Sequence, residues 1–326
     1  MEGKIIMAHQ LTTRDNGFVE HAFVGEIPWH GLGQRLEADA DMQTWRKAAG
    51  MDWTIEQTQC QFTPESGNIT TIPDRFVQYR SDNNMPLSVV SARYKPVQPA
   101  QVLEFFNDLV QENGFKLHTA GTLFGGKRLW ALAETGKYAE VSKGDNVGGY
   151  LLLSTSCDRS LATTARFTTI RVVCNNTLSF ATKNNDNMVS FNHLTEFNHE
   201  LIKAKLGSAV ESFGAFMDVA KELKKQKVNA EQASNFVKRL VLSNSQLVNP
   251  DYDFNKNRGY AKIMELFTSD AVGIEFAGNT KWGLLNAVTE YFDHHHPART
   301  PDARLNNTWF GGGDAMKADA LRLLTA

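Results

Sequence analysis

The chain has 326 residues, 42% of them apolar and 21% charged, with a formal net charge of −2. That length carries one large domain or two ordinary ones, and the composition is that of a soluble globular protein. A slightly acidic chain excludes a histone-like or tail-driven nucleic-acid binder, but it leaves room for a local basic groove, because local potential matters more than net charge.

The N-terminal stretch from Met1 to Gln10 lacks the apolar core of a signal peptide. No window approaches the roughly 18 apolar residues of a membrane span. Cys60, Cys157 and Cys174 are odd in number and widely spaced, which gives no disulfide framework and no Cys-x-x-Cys metal pair. A reducing, cytoplasmic setting without a membrane partner is the expectation.

In chain order, residues 8–60 begin irregularly, with a turn-rich segment Gly25–Gly33 around Trp29. Asp41–Gly50 predicts a short helix with Asp41 as N-cap and Gly50 just past its end. Trp53–Phe62, Arg75–Arg80 and Leu87–Ala92 alternate as strands. Pro99 opens a helix whose Val102, Phe105, Phe106, Leu109 and Val110 share one face, and Gly114 ends it. Phe115–Ala120 and Lys127–Glu134 flank a Gly-rich turn and predict a β-hairpin. Two more strands are expected at 150–156 and near 166–174.

From Asn192 the pattern becomes helical, with a long helix to Gln226 and shorter ones near 230–242, 257–269, 280–293 and 314–324. The expected fold class is α+β: a meandering antiparallel sheet with few helices over residues 1–190, then a helical domain over 191–326.

No strong catalytic signature is present. Asp293-His-His-His296 invites a metal, but adjacent helical residues point about 100° apart, so three in a row cannot share one ion. The plainer reading is a polar helix end before Pro297, where imidazolium suits the dipole. Gly121–Arg128 lacks the Walker order and precedes a strand, so it reads as a hairpin turn that presents Lys127 and Arg128. Cys174-Asn-Asn-Thr177 reads as a packed cysteine followed by capping asparagines.

Arg159, Arg166 and Arg171 lie on or beside two strongly β-forming segments. A cationic sheet of this kind suits an anionic polymer, with Tyr94, Phe124, Tyr150 or Phe167 available to stack bases. Stacking requires that those rings be exposed. Tyr252–Tyr260 sets two cations between aromatics, either as a second polynucleotide contact or as an aromatic-anchored loop.

Several segments together carry a family resemblance: Pro28–Gly33, Ser91–Pro99, Ala120–Arg128, Arg171–Leu178 and Trp282–Glu290. On these the chain resembles the phage/plasmid-like protein family that carries a domain of unknown function, number 932. The resemblance covers nearly the whole chain and implies a phage, prophage or plasmid context. It implies no reaction. In outline the arrangement is also similar to phage single-strand annealing proteins, an analogy of architecture.

The leading expectation is a non-enzymatic protein that binds single-stranded DNA, in the form of a homo-oligomeric annealing or recombination protein. Lys127, Arg128, Arg159, Arg166 and Arg171 would neutralise phosphates, and Tyr94, Phe124 and Phe167 would stack on bases. No catalytic residue and no cofactor is assigned, and a metal is left open. The alternatives are a metal-assisted nuclease or hydrolase using Asp145, Asp158 or Asp293 with His294 or His296, and an effector that acts on a host enzyme.

Overall fold

The computed structural model describes residues 12–25, 31–171, 176–179, 188–193 and 213–326. The strands are β1 (His21–Val24), β2 (Gln34–Leu36), β3 (Ile55–Phe62), β4 (Thr70–Arg80), β5 (Pro86–Ser91), β6 (Lys116–Leu123), β7 (Arg128–Glu140), β8 (Asn146–Ser156), β9 (Thr163–Arg171), β10 (Asn176–Ser179) and β11 (Met188–Phe191).

The chain forms two compact units. The first comprises Met1–Gly136, Leu151–Arg166 and Met188–Gly207; the second comprises Lys137–Tyr150, Phe167–Asn187 and Ser208–Ala326. Where the sequence suggests one cut at 190/191, the units interleave, because β7, β8 and β9 each begin in one and end in the other.

In the first unit, β6 and β7 are the expected antiparallel hairpin, and β1 pairs antiparallel with β6. Departing from an antiparallel meander, β1 and β2 run parallel. β11 pairs antiparallel with the first half of β9. A separate antiparallel sheet has the order β3-β4-β5. Helix α1 (Met42–Ala48) starts where expected: the Asp41 carboxylate accepts from the Thr44 amide at 2.7 Å, and Gly50 follows the helix at φ 66°. Helix α2 (Pro99–Asn113) buries Val102, Phe105 and Phe106 with Trp45 and Trp130 in the core.

In the second unit, β10 pairs antiparallel with the end of β9. Helices follow at α3 (213–225), α4 (Ala230–Val241), α5 (Asn244–Leu247), α6 (Arg258–Glu265), α7 (Ile274–Ala277), α8 (Lys281–Glu290), α9 (Pro301–Phe310) and α10 (Gly312–Thr325). The α+β expectation holds: many strands, then a helical region. The predicted helix from Asn192 lies outside the described residues until position 213. π-helical turns continue α6 and α8 over Leu266–Asp270 and Tyr291–His295. Helix α8 is buried along nearly its whole length, with Trp282, Leu284, Leu285 and Val288 in the core.

The Tyr252–Tyr260 segment is anchored by its aromatics. Phe254 lies between Tyr252 and Tyr260, and the Lys238 ammonium sits 3.9 Å from the Phe254 ring centroid. Among the described residues, no helix is long and apolar enough to cross a membrane.

Candidate functional site

Three loops of the first unit meet at one end of its larger sheet. The β6–β7 turn is Phe124-Gly125-Gly126, and the β8–β9 connection runs through Cys157, Asp158, Arg159 and Ser160. The Cys157 amide donates to the Lys127 carbonyl at 2.9 Å, and Arg128 Nη2 donates to Ser160 Oγ at 2.7 Å. The third loop follows β5. Its Tyr94 hydroxyl donates to the Ser156 carbonyl at 2.8 Å, while Ser88 Oγ donates to the Cys157 carbonyl at 2.6 Å.

This stitching gathers several cations. Arg93, Lys95 and Arg159 are exposed, Lys127 is half-buried and Arg128 is buried. Asp158 is the acid among them. Burial opposes its ionisation, yet hydrogen bonds from Ser160 and Ser156 and the charge of Arg128 hold its carboxyl below the ordinary aspartate range. The Ser160 amide donates to Asp158 Oδ1 at 2.9 Å, so this carboxylate is occupied in shaping its own loop.

Two turn residues here adopt a costly backbone. Among the described residues, the non-glycine positions with positive φ are Asp74, Asn84, Phe124 and Arg159. Aspartate and asparagine tolerate the left-handed region, whereas phenylalanine and arginine are strained there by about 1–2 kcal/mol each. Phe124, at φ 55°, is 37% exposed, and the Arg128 guanidinium lies 5.8 Å from its ring centroid. Arg159, at φ 67°, is exposed. Strain of this kind collects where a side chain is needed for something other than folding.

The remaining expected contacts are corrected. Tyr94 is 6% exposed and its ring stacks on His193 at 4.8 Å; Phe167 is 1% exposed and packs edge-on against Phe213. Neither ring is open to a base. Arg166 and Arg171 are also buried, because every residue of β9 is buried and a solvated cationic face does not form on it. Two of its threonines pair with hydroxyls of β8: Thr163 with Thr155 Oγ1 at 2.8 Å, and Thr164 with Ser154 Oγ at 2.9 Å. Tyr150 is buried as well.

Arg171 belongs to a buried polar corner in the second unit. Its Nε donates to Asp145 Oδ1 at 2.6 Å, and its two terminal nitrogens donate to the carbonyls of Val272 and Gly273. Trp282 Nε1 donates to the other Asp145 oxygen at 2.9 Å. Asn176 and Thr177 extend the corner. Asn176 Nδ2 donates to the Asn286 carbonyl at 3.3 Å, and its Oδ1 has no hydrogen-bond partner among the described residues. A cavity of about 10 Å³, the size of one water, lies beside Arg171, Asn176, Trp282 and Asn286.

Asp293 closes the corner from the π-helical turn. Its Oδ2 accepts from the Thr177 amide at 2.6 Å, and its Oδ1 accepts from Lys317 Nζ at 2.6 Å. Lys317 also donates to Thr177 Oγ1 at 2.8 Å, and its side chain is 1% exposed. Asn176 and Thr177 therefore clamp helices rather than cap them, and Asp293 is a buried anchor rather than part of a polar helix end. Sequence reasoning missed Lys317, which no local pattern marks, and it met Trp282 only as the start of a family-bearing segment, without its role.

The carboxylates named for a metal are thus engaged elsewhere: Asp145 by Arg171 and Trp282, Asp293 by Lys317 and Thr177, and Asp158 by Ser160. Among the described residues, no three His, Cys, Asp or Glu side chains converge as a metal site. Burial first, and then neighbouring cations, push His295 and His296 below the ordinary histidine range, which works against the expected imidazolium–dipole contact at these two positions. The Cys157 thiol is pushed up to about 12 by burial and by Asp158, which keeps it protonated and unreactive. Cys174 and Pro28–His30 lie outside the described residues.

No curated protein and no solved structure matches the chain. A family model does match residues 86–309, a span that holds Arg93, Lys95, Phe124, Lys127, Arg128 and Arg159 together with the buried corner from Asp145 to Asp293. That span is more than half of the chain, and the protein belongs to the family described as Domain of unknown function (DUF932).

Proposed function

We propose that the protein binds single-stranded nucleic acid at the loop end of its first unit. Arg93, Lys95, Lys127 and Arg159 contact phosphates, and Phe124 stacks on an unpaired base. The observation that carries this reading is the strained, exposed pair Phe124 and Arg159 on neighbouring turns. Glycine would relieve the backbone at both positions, so the side chains that stand there point to a use. An exposed ring with cations around it matches what a sequence-tolerant single-strand binder requires. Arg128 supports the site from below by holding Ser160 and facing the Phe124 ring.

The small number of cations fits a short contact, a few nucleotides per chain. Side-by-side copies along one strand would lengthen it, which is the form an annealing protein of a phage or plasmid takes. The net charge of −2 fits this local mode better than whole-surface attraction.

Fluorescence anisotropy with a labelled oligothymidine at low salt tests the reading. The expected result is binding that weakens steeply with salt and depends little on base sequence. Absence of binding at low salt would sink it. A sigmoidal titration on a long strand, with a hyperbolic one on a short strand, is the expected mark of copies adding side by side.

A further inference from the structure

We infer that Arg80 is a positioning residue for this interface: it sets the shape of the Phe124-Gly125-Gly126 turn, an inference that rests on the single-strand reading for its consequence in binding. Arg80 ends β4 and its side chain is 1% exposed. Nη1 and Nη2 donate to the two oxygens of Glu20 at 3.0 and 2.7 Å, while Nε and Nη2 donate to the two oxygens of Asp82 at 2.9 and 2.8 Å. Two carboxylates thereby hold the guanidinium plane in one orientation. The guanidinium lies over Trp53, 4.2 Å from the ring centroid, and Trp53 is fixed in turn by an Nε1 bond to the Gly50 carbonyl at 2.7 Å.

The orientation matters because of one further bond. Arg80 Nη1 also donates to the Gly125 carbonyl at 3.2 Å, at the middle of the turn. The Gly125 amide is held from the other side by Thr12 Oγ1 at 3.2 Å. Gly126, at φ 93°, packs close on the same residues. A methyl group there would come within 2.7 Å of Trp53 and 3.0 Å of Arg80 Nη1. The turn is therefore pinned at both polar atoms of Gly125 and pressed against an aromatic–guanidinium floor. This pinning maintains the strained φ of Phe124 and keeps its ring at the surface.

Glu20 completes the device. It is fully buried, and besides Arg80 it accepts from Arg14 Nε at 2.8 Å and from Thr122 Oγ1 at 2.5 Å. Thr122 lies in β6, just before the turn. One carboxylate thus ties the strand that enters the turn to the arginine that holds its crest. A lysine in place of Arg80 would keep a charge for Glu20, but it lacks the planar fork that reaches Asp82 and Gly125 together.

The test compares wild type, Arg80→Lys, Phe124→Ala and the double variant in the full-length chain. Hydrogen exchange should accelerate in Arg80→Lys at the amides of residues 124–127, while the amides of β7 and β8 stay protected. Unchanged exchange at the turn would overturn the inference. Affinity for labelled oligothymidine should fall about ten-fold in Phe124→Ala, the size of one base stack, and comparably in Arg80→Lys. The double variant should bind no worse than Phe124→Ala, since both changes remove the same oriented ring. Losses that multiply would overturn the positioning role. If Arg80→Lys does not fold, Asp82→Asn, which removes one of the two carboxylates that orient the Arg80 guanidinium, takes its place in every arm. Failure of wild type to bind at all removes the single-strand reading, while the exchange arm still decides whether Arg80 pins the turn.

Discussion

Arg171 and Asp145 form a buried ion pair, Nε to Oδ1 at 2.6 Å, with side chains 3% and 0% exposed. The pair is fully committed: Asp145 receives Trp282 on its other oxygen, and Arg171 also serves the carbonyls of Val272 and Gly273, just past the Leu266–Asp270 π-helical turn. An arginine held this way cannot reach a phosphate without breaking up its unit's interior. Its role is architectural, and that separates it from Arg159, which shares its residue type and lies on the same β8–β9 hairpin.

Arg171→Met should accordingly destabilise the protein by about 3–5 kcal/mol, because it leaves the Asp145 charge buried without its cation. Urea unfolding measures this. Binding of oligothymidine at a temperature where the variant is folded should be unchanged. A variant of wild-type stability would contradict the ion-pair assignment.

Lys127→Ala and Arg159→Ala should behave in the opposite way. Neither side chain forms a buried ion pair among the described residues, so stability should move by no more than about 0.5 kcal/mol. The slope of log affinity against log salt should fall by about 0.7 for each phosphate no longer neutralised. Arg159→Gly is the more telling change. It removes the charge and relieves the φ of 67°, so it should weaken binding while raising stability slightly. Stronger or unchanged binding in Arg159→Gly would remove Arg159 from the interface.

Local features were legible in the chain. Asp41 before a short helical segment, Gly50 after it, Pro99 and Gly114 around α2, and the Gly-rich turn at 121–126, which the structure narrows to 124–126, all act within a few residues of themselves. The family-bearing Arg171–Leu178 segment was also visible as a feature, though its role was not. Arg171 finds Asp145 at a separation of 26 residues and Val272 at 101, and Lys317 meets Thr177 at 140. No periodicity encodes partners that distant. Burial of Tyr94 and Phe167 was equally hidden, since an aromatic in a strand or loop has the same sequence appearance on either face. Arg93 and Lys95 flank Tyr94 in a segment already singled out for its family resemblance, but their exposure follows from the burial of Tyr94 and was hidden with it. The strain at Phe124 and Arg159 has no sequence signal, because a left-handed residue is normally read from glycine.

Acid stability should depend on Asp82. Burial works against its ionised form, but the Arg80 hydrogen bonds and the charges of Arg80 and Arg14 hold its carboxyl below the ordinary aspartate range. A carboxyl whose folded pKa is depressed contributes stability that is present above the unfolded value, near 3.9, and is lost as pH falls through the folded value. Asp82→Asn should therefore lower stability at pH 7 and flatten the loss of stability below about pH 4. Thermal melts of wild type and variant between pH 2 and 7 check this. Parallel curves over that range would show that Asp82 is not linked to folding.

Lys317, Asp293 and Thr177 offer a test of how a buried charged corner is balanced. Lys317→Met alone strands the Asp293 carboxylate in the interior and should cost about 3–5 kcal/mol. Asp293→Asn in the same chain removes that stranded charge while its side-chain oxygen can still accept from the Thr177 amide. The double variant should then be more stable than Lys317→Met by itself, although each single change is destabilising. Asp293→Leu with Lys317→Met should recover less, because the Thr177 amide, which donates to Asp293 Oδ2 at 2.6 Å, is left without its acceptor. Chemical denaturation of the variants resolves the order. If Asn and Leu were equivalent in the Lys317→Met background, the corner would be a charge pair alone, and the amide bond that draws β10 to the π-helical turn would contribute nothing.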